Sequence, residues 1–323
     1  MGARMDNSHL FCMMRCRGLF RATLLCLVLF FVASCRYDNP KEFSKGIIVG
    51  GEVADNSELE SVVGLTLRNK LFCSGTLINS ETIYTASHCF FHPENFVKIA
   101  KYYLAGRPEL NSVNQKRIFI EKLMSYQLAY KKREVKIYFG PGKEGGKFSG
   151  TLGLKDVHID PSYFAYIKYL TFYKLKLMTS YEEKNLKLDT PLDFAELTLS
   201  SPVEGIKTFP VIKKSKLHLL EGALIRLVGF GHRLDPIENN LGLYGRKFQV
   251  DLKFLKIEKR KLSVSLPEKS ACYGDSGGGA FLLDKEGNIS KYVGVINGGD
   301  GSCGGKNPET GHWIKTFIHS VSQ

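Results

Sequence analysis

Residues 270–281 read Ser-Ala-Cys-Tyr-Gly-Asp-Ser-Gly-Gly-Gly-Ala-Phe, and the stretch Gly274-Asp275-Ser276-Gly277-Gly278 at its centre decides how the whole chain is read. A serine between an aspartate and two glycines sits on a tight turn with its hydroxyl presented outward. Small neighbours leave the N–H groups of Gly274 and Ser276 free to converge on one point, which is what stabilising an oxyanion requires. Two further blocks lie upstream, Thr85-Ala86-Ser87-His88-Cys89 and Asp193-Phe194-Ala195-Glu196-Leu197. In the order His88, Asp193, Ser276 they offer the base, the orienting carboxylate and the nucleophile of acyl transfer. Asp189 competes for the carboxylate role, but it sits in a charged, turn-like stretch, whereas Asp193 opens an apolar strand.

Working outward, the start of the chain reads as an address. Arg15, Arg17 and Arg21 precede an apolar run from Ala22 to Ala33. That run is too short for a bilayer span, which needs about 20 residues, and fits the core of a secretory signal. Met13 or Met14 would give such a signal a more usual length. The ending Val32-Ala33-Ser34-Cys35 resembles a bacterial lipobox, which would make Cys35 a lipidated mature N-terminus. The alternative is an ordinary cleavage site with an incidental cysteine. Residues 36–47 then form a tether. Removing residues 1–35 takes away four arginines and one aspartate and leaves 41 basic against 31 acidic residues, a net charge of +10. The lysines around 207–216 and 253–261 read as a solvated basic face, with attraction to anionic lipid a weaker alternative. Nucleic acid is not expected as a partner, because an exported chain without a binding motif offers no site for it.

From Ile48 onward the pattern is β. Runs at 61–67, 71–78, 82–86, 135–139, 223–229, 247–252, 262–266 and 292–296 are short, rich in Val, Leu, Ile and Thr, and separated by polar turns. Such a series argues for an all-β protein. Four of the eight cysteines remain after the signal and Cys35: Cys73, Cys89, Cys272 and Cys303. In an exported chain an even set reads as disulfides, with three possible pairings. Zinc is the rival, but there is no C-x-x-C pair and His88 has another role, so neither metal nor other cofactor is expected.

The three catalytic blocks, together with Ile48-Val49-Gly50-Gly51 and Phe72-Cys73-Ser74-Gly75-Thr76-Leu77, resemble the trypsin/chymotrypsin family of serine proteases over residues 48 to about 314. The resemblance implies two six-stranded antiparallel β-barrels, residues 48–203 and 204–323, with the site in the cleft between them and a short C-terminal helix over 317–323. It implies the disulfides Cys73–Cys89 and Cys272–Cys303, and an oxyanion hole from Gly274 and Ser276. It also implies activation by cleavage before Ile48, whose new ammonium pairs with Asp275. Relatives commonly carry Arg or Lys directly before that isoleucine. Here the order is Lys45-Gly46-Ile47-Ile48, so the activation bond and the activating protease stay open.

Counting back from the nucleophile makes Ser270 the floor of the specificity pocket, with Ala271 and Tyr273 beside it and Asn297, Gly298 and Gly299 on the other wall. A neutral serine resembles the members that accept apolar or aromatic side chains, and a register shift bringing Glu309 into the pocket would favour basic ones. Asn297 is positioned to hydrogen-bond Asp193. The implied function is a serine endopeptidase acting on protein or peptide substrates, made as a zymogen and lipid-anchored through Cys35. Alternatives are a non-catalytic homologue that binds through the same scaffold, and an esterase.

Two segments exceed the family plan. His88 and Asp193 stand 105 residues apart, more than twice the usual separation. With Val135–Gly140 and Val157–Tyr163 matched to the intervening strands, the surplus falls near 90–134 and 164–190. Residues 119–130 carry apolar positions at roughly helical spacing. Both insertions border the cleft and are expected to narrow substrate choice.

Overall fold

The short apolar runs separated by polar turns fold into two closed sheets. The computed structural model describes residues 51–54, 57–140, 152–186, 191–231, 246–258 and 260–300, with 310, 312 and 315–320. The first sheet contains β2 (Val62–Leu67), β3 (Lys70–Leu77), β4 (Thr82–Thr85), β5 (Val135–Tyr138), β6 (Leu152–Ile159) and β7 (Ala195–Leu199). They close as an antiparallel barrel in the order β2-β3-β4-β7-β6-β5. In β7 every second residue, Ala195, Leu197 and Leu199, is buried while Glu196 and Thr198 are half-buried, as the two-residue period of a strand demands.

The second sheet contains β8 (Leu224–Gly229), β9 (Phe248–Glu258), β10 (Lys261–Ser265), β11 (Gly279–Leu283), β12 (Ile289–Gly299) and β13 (Thr316–Ser320). Pairing of β8 with β9 closes it. The two-residue β1 (Glu52–Val53) borders β9. This first described strand, in a segment expected with the first barrel, therefore hydrogen-bonds the second. Ala54 N–H continues this contact, donating to the Lys247 carbonyl at 3.0 Å.

The C-terminal helix expected over 317–323 is not what the described residues form. Thr316–Ser320 make up β13, which lies between β10 and β12. Thr316, Phe317 and Ile318 suit a pleated strand, and both neighbours supply the backbone partners a buried segment requires.

The first insertion folds as helices α1 (Pro93–Ala105) and α2 (Val113–Glu134). The helix expected over 119–130 is the middle of α2. Ser112 and Gln115 form a reciprocal cap at its start, and Lys131, Lys132 and Arg133 fall in its last turn, where the helix dipole favours cations. The second insertion gives α3 (Pro161–Lys174) and α4 (Ser180–Asn185). The strand read through Tyr163 ends at Ile159, because Asp160 caps α3 by accepting from Ser162 N–H and Pro161 takes the first helical position.

These helices pack on each other and on the first barrel. Phe91 meets Phe96 and Phe164 edge-on at 5.8 and 5.7 Å between ring centres, and Tyr163 Oη donates to the Phe91 carbonyl at 2.9 Å. Arg117 grips Glu182 with two hydrogen bonds, 3.0 and 2.6 Å, tying α2 to α4. No described helix is long and apolar enough to cross a membrane.

Candidate active site

The Gly274–Gly278 turn joins the two barrels. Ser276 C=O accepts from Ser74 N–H of β3 at 2.8 Å, and Gly277 N–H donates to the Ile296 carbonyl of β12 at 2.7 Å. Ser74 Oγ donates to the Gly274 carbonyl and accepts from Phe230 N–H, both at 2.9 Å. Gly277 has φ +87°, and a Cβ there would stand 2.1 Å from both Ser74 O and Thr85 Oγ1. Only glycine satisfies both conditions. The sequence around Ser276 is thus dictated by how closely the barrels approach.

His88 lies on the single 3₁₀ turn Ser87–Cys89 that follows β4. Its backbone N–H donates to Asp193 Oδ1 at 2.9 Å, and its Nδ1 meets Asp193 Oδ2 at 2.6 Å. An ionised carboxylate only accepts, so Nδ1 carries the proton and Nε2 is left as the basic nitrogen. Ser87 Oγ fixes the same corner by donating to the Phe194 carbonyl at 2.5 Å. Burial pushes the His88 pKa down, but the charge and hydrogen bond of Asp193 outweigh it and hold it above the ordinary value. Burial would raise Asp193, and His88 reverses this to keep the carboxyl below its ordinary range. Asp189 lies outside the described residues.

His88, Asp193, Ser276 and Gly274 line one cleft of about 920 Å³. Ala271, Tyr273, Asn297, Gly298 and Gly299 line it too. Ser270 is fully buried and is not among the lining residues. Asn297 differs from expectation. Its Nδ2 stands 3.5 Å from His319 Nδ1, and no bond to Asp193 is formed.

His319, on β13, is buried and lines the cleft, with Asp193 close enough to act on its charge. Burial holds its pKa below the ordinary value, against the raising influence of Asp193. Sequence reading missed it, because a lone histidine in a short apolar segment carries no local signal. The wall supplied by α1, α2 and α3, including His92, Phe96, Gln127, Lys131, Tyr163 and Tyr166, was missed in detail for the same reason.

Asp275 is fully buried. Its Oδ1 accepts from Gly231 N–H and its Oδ2 from Cys272 N–H, each at 2.8 Å. Burial pushes its pKa up to about 7, and these two hydrogen bonds only partly oppose the rise. A Cβ on Gly231 would come within 2.6 Å of the carboxylate oxygens, so the backbone and the carboxylate require each other's shape.

Cys73 and Cys89 are joined, with Cα atoms 6.1 Å apart. Cys272 is also disulfide-bonded, and Cys303, Glu309, Ile48 and Cys35 lie outside the described residues. Cys73, His88 and Cys89 bring their ligand atoms within 4.8 Å of one another. The disulfide withholds both sulfurs from the thiolate form a metal needs.

The family model described as Trypsin matches residues 48–132 and 168–319. The chain belongs to this family of serine proteases. Snake venom serine proteinase 8 of Crotalus adamanteus is 44% identical over 46 residues, 14% of this chain and 18% of that protein. Alpha-fibrinogenase albofibrase of Trimeresurus albolabris is similar to the same extent. Thrombin-like enzyme BpirSP27 of Bothrops pirajai is 43% identical over 42 residues, 13% of this chain and 84% of that sequence. The similarity to the first two thus spans less than a fifth of their length.

Proposed function

We propose that this chain is a serine endopeptidase in which Ser276 is the nucleophile, His88 the general base and Asp193 its orienter. The observation that carries the reading is the doubly hydrogen-bonded His88–Asp193 pair opening onto the same cleft as Ser276. Ser276 Oγ attacks the scissile carbonyl as His88 Nε2 takes its proton. The N–H groups of Gly274 and Ser276 stabilise the oxyanion. His88 then delivers the proton to the leaving amine, and water attacks the acyl-enzyme by the same route in reverse. His88, held protonatable by Asp193, stores the proton between these steps.

The chain is made as a zymogen in this reading. Cleavage before Ile48 creates an ammonium that pairs with Asp275, a carboxylate whose buried site disfavours its charge until a cation arrives. The pocket accepts apolar or aromatic side chains before the scissile bond. Ala271, Cys272, Tyr273 and Asn297–Gly299 put no charge on its described walls, and an apolar side chain gains about 1.5–3 kcal/mol from burial. A lipid on Cys35 anchors the precursor to a bacterial membrane after export.

A fluorophosphonate probe applied to protein starting at Ile48, followed by a diverse peptide library, tests this. Labelling at Ser276 is expected, with Ser276→Ala and His88→Ala each lowering peptide cleavage by several orders of magnitude. Cleavage after Phe, Tyr or Leu is expected. No labelling and no cleavage would make the chain a non-catalytic homologue. Ester turnover without peptide turnover would make it an esterase. Cutting after Lys or Arg, abolished by Glu309→Gln, would replace the apolar pocket with a basic-selective one.

A further inference from the structure

A lysine and a glutamine of one helix line the cleft, and the proposed reaction uses neither. Gln127 and Lys131 lie four residues apart on α2, hence on one face, and both line the cleft that holds Ser276. The Lys131 ammonium donates to the Cys89 carbonyl at 3.1 Å and stands 4.6 Å from the centre of the Phe72 ring. An ammonium has three N–H donors, so two remain for a partner in the cleft. Gln127 Oε1 is buried with no hydrogen-bond partner among the described residues, a costly state until something donates to it.

The charge in the cleft is one-sided. Among the described lining residues Lys131 is the one Lys or Arg, and Asp193 is the one carboxylate. Asp193 is already committed to His88. Burial pulls the Lys131 ammonium below its ordinary pKa, with no carboxylate to oppose the shift.

The position of Lys131 assigns it to one part of a substrate. Cys89 follows His88 in the chain, and its disulfide partner Cys73 follows Phe72. Lys131 therefore stands on the disulfide flank of the histidine. In the proposed reaction the acyl part of the peptide lies on the other flank, against Tyr273 and Gly298–Gly299. The amine that receives the proton from His88 departs toward Lys131.

We propose that Lys131 and Gln127 form a carboxylate-binding subsite for the leaving-group portion of the substrate. The ammonium pairs with the carboxylate, and the Gln127 amide, turned out of its buried position, accepts a backbone N–H of the same segment. The carboxylate is either an Asp or Glu side chain or a peptide C-terminus just beyond the scissile bond. This rests on the serine-peptidase reading of the same cleft.

Peptides sharing one acyl portion separate the two sources. One pair places Glu or Gln after the scissile bond, and the other ends there as the free acid or the amide. With protein starting at Ile48, kcat/KM is expected to be about 10- to 100-fold higher for the carboxylate in the pair that matches the source. Added salt should shrink the ratio. Lys131→Met should abolish it, Lys131→Arg should keep it, and Lys131→Glu should turn preference toward basic residues. Equal rates within both pairs, or a ratio that survives in Lys131→Met, overturn the proposal. An activated ester with no peptide leaving group reports on Ser276 chemistry separately. If that ester is not turned over, calorimetric affinities of the same pairs for Ser276→Ala protein decide the role of Lys131 by the same ratio.

Discussion

Asp275, taken as a single residue, ties folding to pH and, in the proposed scheme, to activation. Its folded pKa of about 7 lies above the ordinary aspartate value of 3.8. The folded state therefore holds a proton that the unfolded state releases between those limits. Stability from this group is full below about pH 4 and is lost as pH rises through 7. For the uncleaved chain the loss is at most about 4 kcal/mol, because each tenfold change in proton affinity corresponds to about 1.4 kcal/mol. Urea denaturation from pH 4 to pH 8 should show the fall, and Asp275→Asn should flatten it. In protein starting at Ile48 the fall should be smaller, because the new ammonium stabilises the ionised carboxylate. A curve with the same slope in all three would remove Asp275 from the activation scheme.

Among the elements, the histidine turn depends on a staple rather than on its own length. Residues 87–89 form one 3₁₀ turn, which has little intrinsic stability. The Cys73–Cys89 disulfide fastens it to β3 across a sequence separation of 16. Closing a loop of that size is worth about 3 kcal/mol. The double substitution Cys73→Ala, Cys89→Ala should lower stability by roughly that amount and slow probe labelling at Ser276 by loosening His88. Unchanged labelling would show that the Ser87 and Asp193 hydrogen bonds hold the turn unaided. Most strands are legible in the sequence, because short runs rich in Val, Leu, Ile and Thr between polar turns mark them. The helices are less so. Only the middle of α2 announces itself by spacing, and Asp160-Pro161, which starts α3, is easily taken for the end of a strand.

For the molecule as a whole, anchoring and activation are coupled in the proposed scheme. Cys35 lies thirteen residues before Ile48, and residues 36–47 contain no cysteine to hold the two parts together after cleavage. Cutting before Ile48 should therefore release the enzyme and leave the lipid behind. Detergent fractionation with detection of the C-terminus should find the precursor in membranes and the mature form in the soluble fraction. A mature, active form confined to membranes would refute release.

Local sequence was enough to mark most strands and to nominate the triad, and the family resemblance supplied the two-barrel plan. Strand runs are a property of near neighbours, and the triad motifs are short runs whose small residues and cysteines leave few alternatives. Long-range packing set what lies around them. His319 comes within the electrostatic reach of Asp193 only because β13 pairs with β12. Lys131 reaches Cys89 only because α2 lies along the cleft. Asn297 Nδ2 lies beside His319, 22 residues on, a neighbour brought in by the pairing of β12 with β13. Each contact joins residues far apart in the chain, and its geometry follows from packing that no local pattern encodes.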